Sequence, residues 1–202
     1  MKERTYLRII TGSARGYVLE TLKGDDTRPT SDRVKQGVFS ALQFEIEGRQ
    51  VLDLFAGSGQ LGLEALSRGA SRCVLVDKDM DAVAVIRRNL SGMARRDSEL
   101  TKKARILSSH ALDYLAQTKD RYDIAFLDPP YASNLLVSSL QAVCNHMNPG
   151  GVIVCESDAD ADLPNQVGRF ALSRVYRYGR VHIWIYRWTN DGTDTALTPK
   201  SE

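Results

Sequence analysis

The chain has 202 residues, of which 43% are hydrophobic and 26% are charged. These are ordinary values for one globular domain, so they exclude a disordered or fibrous protein. The net charge of +2 indicates no partner by itself, and three cysteines without a CxxC spacing predict neither a disulfide framework nor a metal site. No apolar run is long enough for a signal peptide or a membrane span, so we expect a cytoplasmic, metal-free protein.

The N-terminal part predicts a small extension ahead of the main domain. Leu7–Ile10 and Tyr17–Leu19 are typical of a β-hairpin whose turn contains glycines. A helix is expected from about Thr30, because apolar residues recur on one face at Val34, Val38 and Leu42. We expect this extension to occupy residues 1–45, the main domain 46–188 and a disordered tail 189–202.

In the middle of the chain, short apolar runs alternate with helical periods, which predicts βαβ units and a mostly parallel sheet. The expected strands are Val51–Phe55, Cys73–Asp77, Ala104–Leu107, Asp123–Asp128 and Gly151–Glu156. The expected helices run from about Ser58 to Arg68, from the N-cap Asp79, and from Ser133 through Met147 to a stop at Pro149. Phe170–Tyr176 and Val181–Arg187 are expected to add an antiparallel hairpin, giving a Rossmann-like α/β sheet of seven strands.

A glycine-rich turn follows the first strong strand. Gly57, Gly59 and Gly62 satisfy GxGxxG, and Asp77 ends the next strand, where a carboxylate can accept hydrogen bonds from ribose hydroxyls. This pattern alone is compatible with a nicotinamide or flavin dinucleotide, and a turn used only for packing is the less favoured alternative. Asp53 favours a cationic ligand such as S-adenosylmethionine, because a carboxylate at that strand end would repel a pyrophosphate.

A second motif, Asp128-Pro129-Pro130-Tyr131, follows the fourth core strand. Its two prolines predict a rigid turn that lacks two backbone N–H donors. The Asp128 carboxylate and the Pro129 carbonyl can then accept two hydrogen bonds from one exocyclic amine, while Tyr131 stacks on the base. The motif therefore predicts methylation of an amino group on a planar base, without a strong general base.

Four blocks in this order resemble the RsmD family of bacterial 16S rRNA guanine-N2 methyltransferases, and the resemblance extends from about Arg8 to Arg187. The blocks are residues 8–16, residues 27–39, residues 51–70 and the Asp-Pro-Pro-Tyr motif. The resemblance implies a class I methyltransferase that uses S-adenosylmethionine to methylate N2 of one guanine in 16S rRNA, of the guanine-966 type. It also implies a substrate within an assembling small ribosomal subunit, and we expect a monomer with no membrane or metal partner.

The resemblance also implies roles for matching residues. Cofactor contacts would come from Thr30, Asp53, Phe55, Ala56, Gly57, Ser58, Gly59, Asp77, Lys78, His110, Ala111 and Asp128. The target guanine would be held by Asp128, Pro129, Pro130 and Tyr131. His110 departs from the family pattern, which often has an Asp or Asn there, so it is expected either to contact the adenine amino group or to be only a polar helix cap.

Basic residues are concentrated in stretches that the net charge conceals. Residues 87–105 contain seven basic and two acidic residues, and residues 169–187 contain five arginines and no acid. With a base-modifying site nearby, Arg15, Arg28 and Arg33 are expected to bind RNA phosphates, although residues 87–105 are equally compatible with a solvated face. No role is predicted for the acidic loop from Glu156 to Asp162.

Three alternatives remain at this stage. A DNA adenine-N6 methyltransferase would share the Asp-Pro-Pro-Tyr chemistry, but the chain has no block of the size expected for a separate target-recognition domain. A nicotinamide-dependent oxidoreductase would use GxGxxG and leave the second motif unexplained. A non-catalytic RNA-binding assembly factor is disfavoured because both motifs are intact.

Overall fold

The computed structural model describes residues 7–22, 32–130 and 135–190, with Asp32 described by its backbone alone. Six α-helices lie within these ranges: α1 (Asp32–Ala41), α2 (Gln60–Ser67), α3 (Met80–Met93), α4 (Leu100–Lys103), α5 (Ala111–Gln117) and α6 (Leu135–Val143). The strands are β1 (Gln50–Asp53), β2 (Arg72–Asp77), β3 (Ala104–Ser108), β4 (Tyr122–Leu127), β5 (Met147–Asp158), β6 (Gln166–Val167), β7 (Phe170–Tyr178) and β8 (Val181–Trp188). In the part of the chain so described, no helix is long and apolar enough to cross a membrane.

All eight strands form one sheet in the order β3-β2-β1-β4-β5-β8-β7-β6. The pairs from β3 through β5 are parallel, and β8, β7 and β6 are joined to β5 by antiparallel pairing. The expected α/β sheet with an antiparallel C-terminal hairpin is therefore confirmed. The eighth strand was not predicted, because β6 has two residues and no periodicity to detect.

Helices cover both faces of the sheet, which explains why the central strands are apolar on both sides. On one face, the N-terminal segment, α1, α2 and α3 pack on side chains such as Val51, Leu75 and Phe126. On the other face, α5 and α6 pack on side chains such as Val74 and Ile153. Since the carboxyl ends of β1, β2 and β4 meet at one edge, residues that follow these strands are brought together there.

The buried carboxylate of Glu64, in the middle of α2, attaches the N-terminal segment to this core. It accepts hydrogen bonds from the backbone N–H groups of Ile10 and Thr11, at 2.7 and 3.0 Å. It also lies 2.8 Å from Nε of Arg68 and 3.6 Å from Nζ of Lys35, whose side chain is fully buried as well. The extension and the main domain therefore share one buried polar cluster.

Two predicted elements differ from the structure. The N-terminal hairpin is reduced to one isolated bridge, Arg8 with Val18, although backbone bonds still link the two arms. The third predicted helix ends at Val143, and Met147 instead begins β5, paired with Tyr122. Met147 is fully buried, so its apolar character reflects the core and not a helical face. The predicted helix start at Ser133 lies outside the described residues.

Candidate functional site

A cavity of about 700 Å³ opens at the carboxyl ends of β1, β2 and β4. Most of the predicted cofactor and target residues line it: Asp53, Phe55, Ala56, Gly57, Ser58, Asp77, Lys78, His110, Ala111, Asp128, Pro129 and Pro130. Thr30 and Tyr131 lie outside the described residues. Within the described ranges, no group of three or more His, Cys, Asp or Glu side chains could hold a metal ion.

The glycine-rich turn has the backbone that its sequence predicts. Gly57 and Gly59 have positive φ angles of 52° and 82°, which L side chains rarely adopt. Gly62 is required for close packing, since a Cβ there would lie 2.7 Å from Leu75 and 3.0 Å from the Sγ of Cys73. Gly59 does not line the cavity, so the structure gives it a role in the turn and not at the surface.

The Asp77 carboxylate connects the two loops that form one side of the cavity. One oxygen accepts a hydrogen bond from the Gly57 N–H at 2.8 Å, and the other accepts from the Asp79 N–H at 2.9 Å. Asp79 in turn caps α3, as predicted, by accepting from the Asp81 N–H. Each oxygen of Asp77 can accept a further bond, so the side chain can both fix the loops and receive ribose hydroxyls.

Asp53 is buried at the end of β1, and its carboxylate accepts a hydrogen bond from the Gly62 N–H at 2.8 Å. Burial raises the pKa of Asp53 to about 7; the Gly62 N–H opposes this shift and the charge of Asp77 adds to it. A positive ligand in the cavity would favour the ionised carboxylate. The side chain is therefore a buried acceptor whose charge depends on what lies beside it.

The hydrogen bond from the Gly62 N–H to Asp53 argues against a bound dinucleotide. In dinucleotide-binding folds, the pyrophosphate lies at the N-terminus of the helix that follows the GxGxxG turn. Here the Asp53 carboxylate accepts from Gly62, in the first turn of α2. A protein carboxyl group thus occupies the place of an anionic ligand, which disfavours the nicotinamide and flavin alternatives.

Gln60, the first residue of α2, lines the cavity and was not predicted as a site residue. Its Oε1 atom is buried and has no hydrogen-bond partner among the described residues. An acceptor in this state is stabilised when a ligand donor reaches it. The sequence places Gln60 directly after Gly57-Ser58-Gly59, which could have marked it as a site residue. Many residue types begin helices, however, so this position alone did not identify it.

His110 precedes α5 and lines the cavity with an exposed side chain. His110 is the N-cap residue of α5, as one of the two expectations has it, and its carbonyl accepts from the Tyr114 N–H at 2.9 Å, while its side chain makes no capping hydrogen bond within the described chain. The following residue, Ala111, is buried and also lines the cavity. The other expectation, a contact between His110 and a bound adenine, stays a prediction that this position allows.

The Asp-Pro-Pro turn after β4 separates the first cavity from a second one of about 380 Å³. Pro129 and Pro130 line both cavities, whereas Asp128 lines the first. The other wall of the second cavity is the acidic segment expected to be a loop, to which no role was predicted. Its first part is instead the end of β5, which carries Glu156 and Asp158, and Asp160 and Asp162 follow the strand. Sequence reasoning missed this neighbour because loop and turn are about 30 residues apart in the chain.

Two of the three predicted RNA-binding arginines, Arg15 and Arg33, lie within the described residues. Arg15 lies in the N-terminal turn beside Ser67, the last residue of α2, since the Ser13 N–H donates to the Ser67 carbonyl at 2.8 Å. An eight-residue helix is about 12 Å long, so this turn is far from the cavity at the start of α2. Arg33 is exposed in the first turn of α1. Arg28 lies outside the described residues.

Known proteins resemble this chain over most of its length. The family model described as "Conserved hypothetical protein 95" matches residues 7–187. Ribosomal RNA small subunit methyltransferase D of Escherichia coli K12 is 33% identical over 192 residues, 94% of both chains. The Haemophilus influenzae protein of the same name is 36% identical over 161 residues, which cover 78% of this chain and 81% of that one. A solved structure from Thermus thermophilus, described as a hypothetical protein, is 31% identical with a TM-score of 0.72, and the match covers 88% of this chain and 97% of that chain.

Proposed function

We propose, from the premise that this chain belongs to the Conserved hypothetical protein 95 or RsmD family, that it methylates the exocyclic N2 of a guanine in 16S rRNA with S-adenosylmethionine. The relatives named as small-subunit rRNA methyltransferases support the reaction class and the rRNA substrate. One observation supports the more specific part of the proposal, the methylation of guanine N2 with S-adenosylmethionine. The Asp-Pro-Pro turn is a wall shared by a cavity with two strand-end carboxylates and a cavity lined by acidic residues.

The residues of the first cavity fit S-adenosylmethionine. Asp53 can provide a buried negative charge for a cationic ligand, and the unpartnered Oε1 of Gln60 can accept from an ammonium group. Asp77 can accept from ribose hydroxyls, and His110 lies where the adenine amino group could be bound. When bound, the cofactor supplies an electrophilic methyl group on a positively charged sulfur.

Asp128 and Pro129 position the amine to be methylated. A carboxylate and a carbonyl are acceptors only, so together they can receive both N–H bonds of one exocyclic amine. Holding both bonds in the plane of the base directs the nitrogen lone pair out of that plane. The nitrogen loses a proton once it is alkylated, and the Asp128 carboxylate can receive it. Catalysis then depends on position and on oriented acceptors.

The acidic lining of the second cavity favours guanine over adenine, the base of the nearest alternative. The base-pairing edge of guanine carries N1–H and the N2 amino group, which are donors that carboxylates can accept. Adenine has an acceptor at N1, which a carboxylate would repel. Glu156 is 5% exposed and lines this cavity, so it is the carboxylate best shielded from water.

Methyl transfer from labelled cofactor to 16S rRNA tests the proposal. We would incubate the protein with naked rRNA and with small ribosomal subunits that lack the modification, and then map the labelled base. Asp128→Ala should reduce turnover at least 100-fold with little change in cofactor affinity. Asp120→Ala is the matched control, because Asp120 is a half-buried aspartate that pairs with Arg72 at the amino ends of the strands.

Label on adenine, or on DNA in preference to rRNA, would overturn the choice of base and substrate. Undiminished turnover in Asp128→Ala would refute the role of the Asp-Pro-Pro turn. Label on subunits and not on naked rRNA would support the part of the proposal that places the substrate in an assembling particle, whereas faster labelling of naked rRNA would refute that part. Sedimentation of the active protein as a dimer would refute the monomer that we include in the proposal.

A further inference from the structure

A groove of about 550 Å³ lies between α1 and β7, apart from both cavities of the transfer site. On the helix side its wall consists of the small residues Gly37, Ser40 and Ala41. Tyr178 packs directly on α1, since a Cβ at Gly37 would overlap its hydroxyl group. The small residues therefore leave an open channel beside the strand.

Two tyrosines form the floor of this groove. The rings of Tyr176 and Tyr178 lie nearly parallel, at 20°, with centroids 6.5 Å apart. Both side chains are half-buried, so each ring still presents surface to the groove. Paired, fixed aromatic faces in a polar groove are typical of surfaces on which nucleic acid bases stack.

The charges along the groove are mainly positive. Arg174 lies over the Tyr176 ring at 5.6 Å and donates a hydrogen bond to its hydroxyl. Arg33 lies four residues before Gly37 on the same face of α1, and its positive charge partly opposes the rise in the pKa of Tyr178 that burial causes. At the far end, Arg187 is bound by both carboxylate oxygens of Glu45, at 2.7 and 2.8 Å. Since that pair is neutral, Arg174 gives the lining its net positive charge, and Arg33 adds a positive charge on α1 near Tyr178.

The groove begins at the edge of the sheet where the transfer site lies. Tyr178 is paired with Val181, and Val181 with Asp158, the last residue of β5. Asp158 also lines the acidic cavity beside the Asp-Pro-Pro turn. Strands lie about 4.8 Å apart, so β7 is about 15 Å from β4, roughly four stacked nucleotides of about 3.4 Å.

We propose that this groove binds the single RNA strand that flanks the target nucleotide, with bases stacked on Tyr176 and Tyr178 and phosphates bound by Arg33 and Arg174. The proposal rests on the proposed rRNA methyltransferase function and extends it to substrate positioning. The groove is a docking surface outside the reaction, so it contributes to RNA affinity and not to cofactor binding. Positive charge beside aromatic faces fits RNA better than an apolar protein segment.

Two variants test the groove by different contacts. Arg174→Ala should raise KM for small subunits about fivefold with little change in kcat, and it should reduce the slope of log affinity against log salt by about one unit. Tyr176→Leu keeps an apolar side chain on the core and should raise KM about tenfold. Arg105→Ala, at a half-exposed arginine near the amino edge of the sheet, is the control and should change KM less than twofold.

Cofactor affinity, measured by calorimetry, should be unchanged in all three variants, which shows that they are folded. Wild-type protein that methylates no rRNA would refute the proposed function itself. Active wild type with unchanged KM in Arg174→Ala and Tyr176→Leu would refute the groove alone. Variants that lose affinity for subunits but retain it for naked rRNA would also refute the groove proposal, because the partner would then be a ribosomal protein.

Discussion

Glu64 and Asp53 are both fully buried carboxylates, but the groups that surround them differ in number and charge. Glu64 binds the N-terminal segment, and Asp53 binds the first turn of α2. Glu64 receives two backbone N–H groups, a guanidinium and an ammonium. Asp53 receives one N–H group, from Gly62, and its nearest charged influence is another carboxylate, Asp77. Burial is thus the same, whereas the number and sign of the partners differ.

This difference separates a structural carboxylate from one suited to a ligand. At Glu64 the protein itself supplies the compensating charge, so the group can hold the N-terminal segment to the core. At Asp53 the protein supplies too little compensation, and burial raises the pKa to about 7. A buried carboxylate in this condition gains most from a cation in the adjacent cavity.

The largest effect is expected from removing the structural carboxylate. Glu64→Ala would leave Lys35 and Arg68 without their shared partner, and we expect a loss of about 3–5 kcal/mol in the free energy of unfolding. Urea denaturation measures this loss. Glu99→Ala, at an exposed glutamate paired with Lys102, is the control and should change stability by less than about 0.5 kcal/mol. Equal losses in the two variants would contradict the role of Glu64.

The second prediction concerns pH and Asp53. Its folded-state pKa is about 7, above the ordinary value of 3.8, so the folded state retains a proton that the unfolded chain releases. The stabilising contribution is complete below about pH 4 and is lost as the pH rises to about 7, by about 4 kcal/mol at most. The free energy of unfolding of Asp53→Asn, minus that of wild type, should therefore increase as the pH rises from 5 to 8, because the amide does not titrate. Parallel pH profiles for the two proteins in urea denaturation would contradict this prediction.

The third prediction concerns how the ionisation of Asp53 changes the affinity for the cofactor. A bound cation favours ionised Asp53, so affinity for S-adenosylmethionine should rise about tenfold from pH 6 to pH 8, about 1.4 kcal/mol. Binding near pH 7 should release a proton, which calorimetry detects in buffers with different heats of ionisation. Asp53→Asn should bind more weakly and lose this pH dependence. Proton release of wild-type size in that variant would assign the titration to another group.

The smallest effect is expected for His110, an exposed residue that lines the first cavity. His110→Ala should weaken cofactor binding about threefold, about 0.7 kcal/mol, because an exposed hydrogen bond contributes little. His146→Ala is the matched control, since His146 follows α6 and does not line the cavity. Equal affinities for His110→Ala and wild type would remove His110 from the site.

The parts of the site that were predictable depend on short-range backbone geometry. Gly57, Gly59 and Asp77 belong to one strand–turn–helix–strand unit, so their spacing already implies that the turn and the carboxylate meet. Asp128 follows a strand of the same parallel sheet, which places it at the same edge. The strand positions were also predictable, because strands buried on both faces are nearly continuous in apolar residues.

The other parts depend on contacts between distant segments. Glu64 looks like a solvent-facing residue of an amphipathic helix, and its backbone donors lie more than 50 residues earlier in the chain. Gln60 gains its significance only from a buried atom without a partner among the described residues, which a sequence does not reveal. Arg15 was selected by its charge, whereas its position beside the end of α2 follows from the packing of the N-terminal turn on Ser67.

The attachment of the N-terminal segment at Glu64 has a consequence for cooperativity. Leu7 and Thr21 of that segment line the first cavity, while Ile10 and Thr11 donate to the buried carboxylate of α2. A fragment that begins at residue 46 would expose apolar side chains and leave Glu64 without three of its four partners. We therefore expect the N-terminal segment and the sheet to unfold together, so a calorimetric scan should show a single transition.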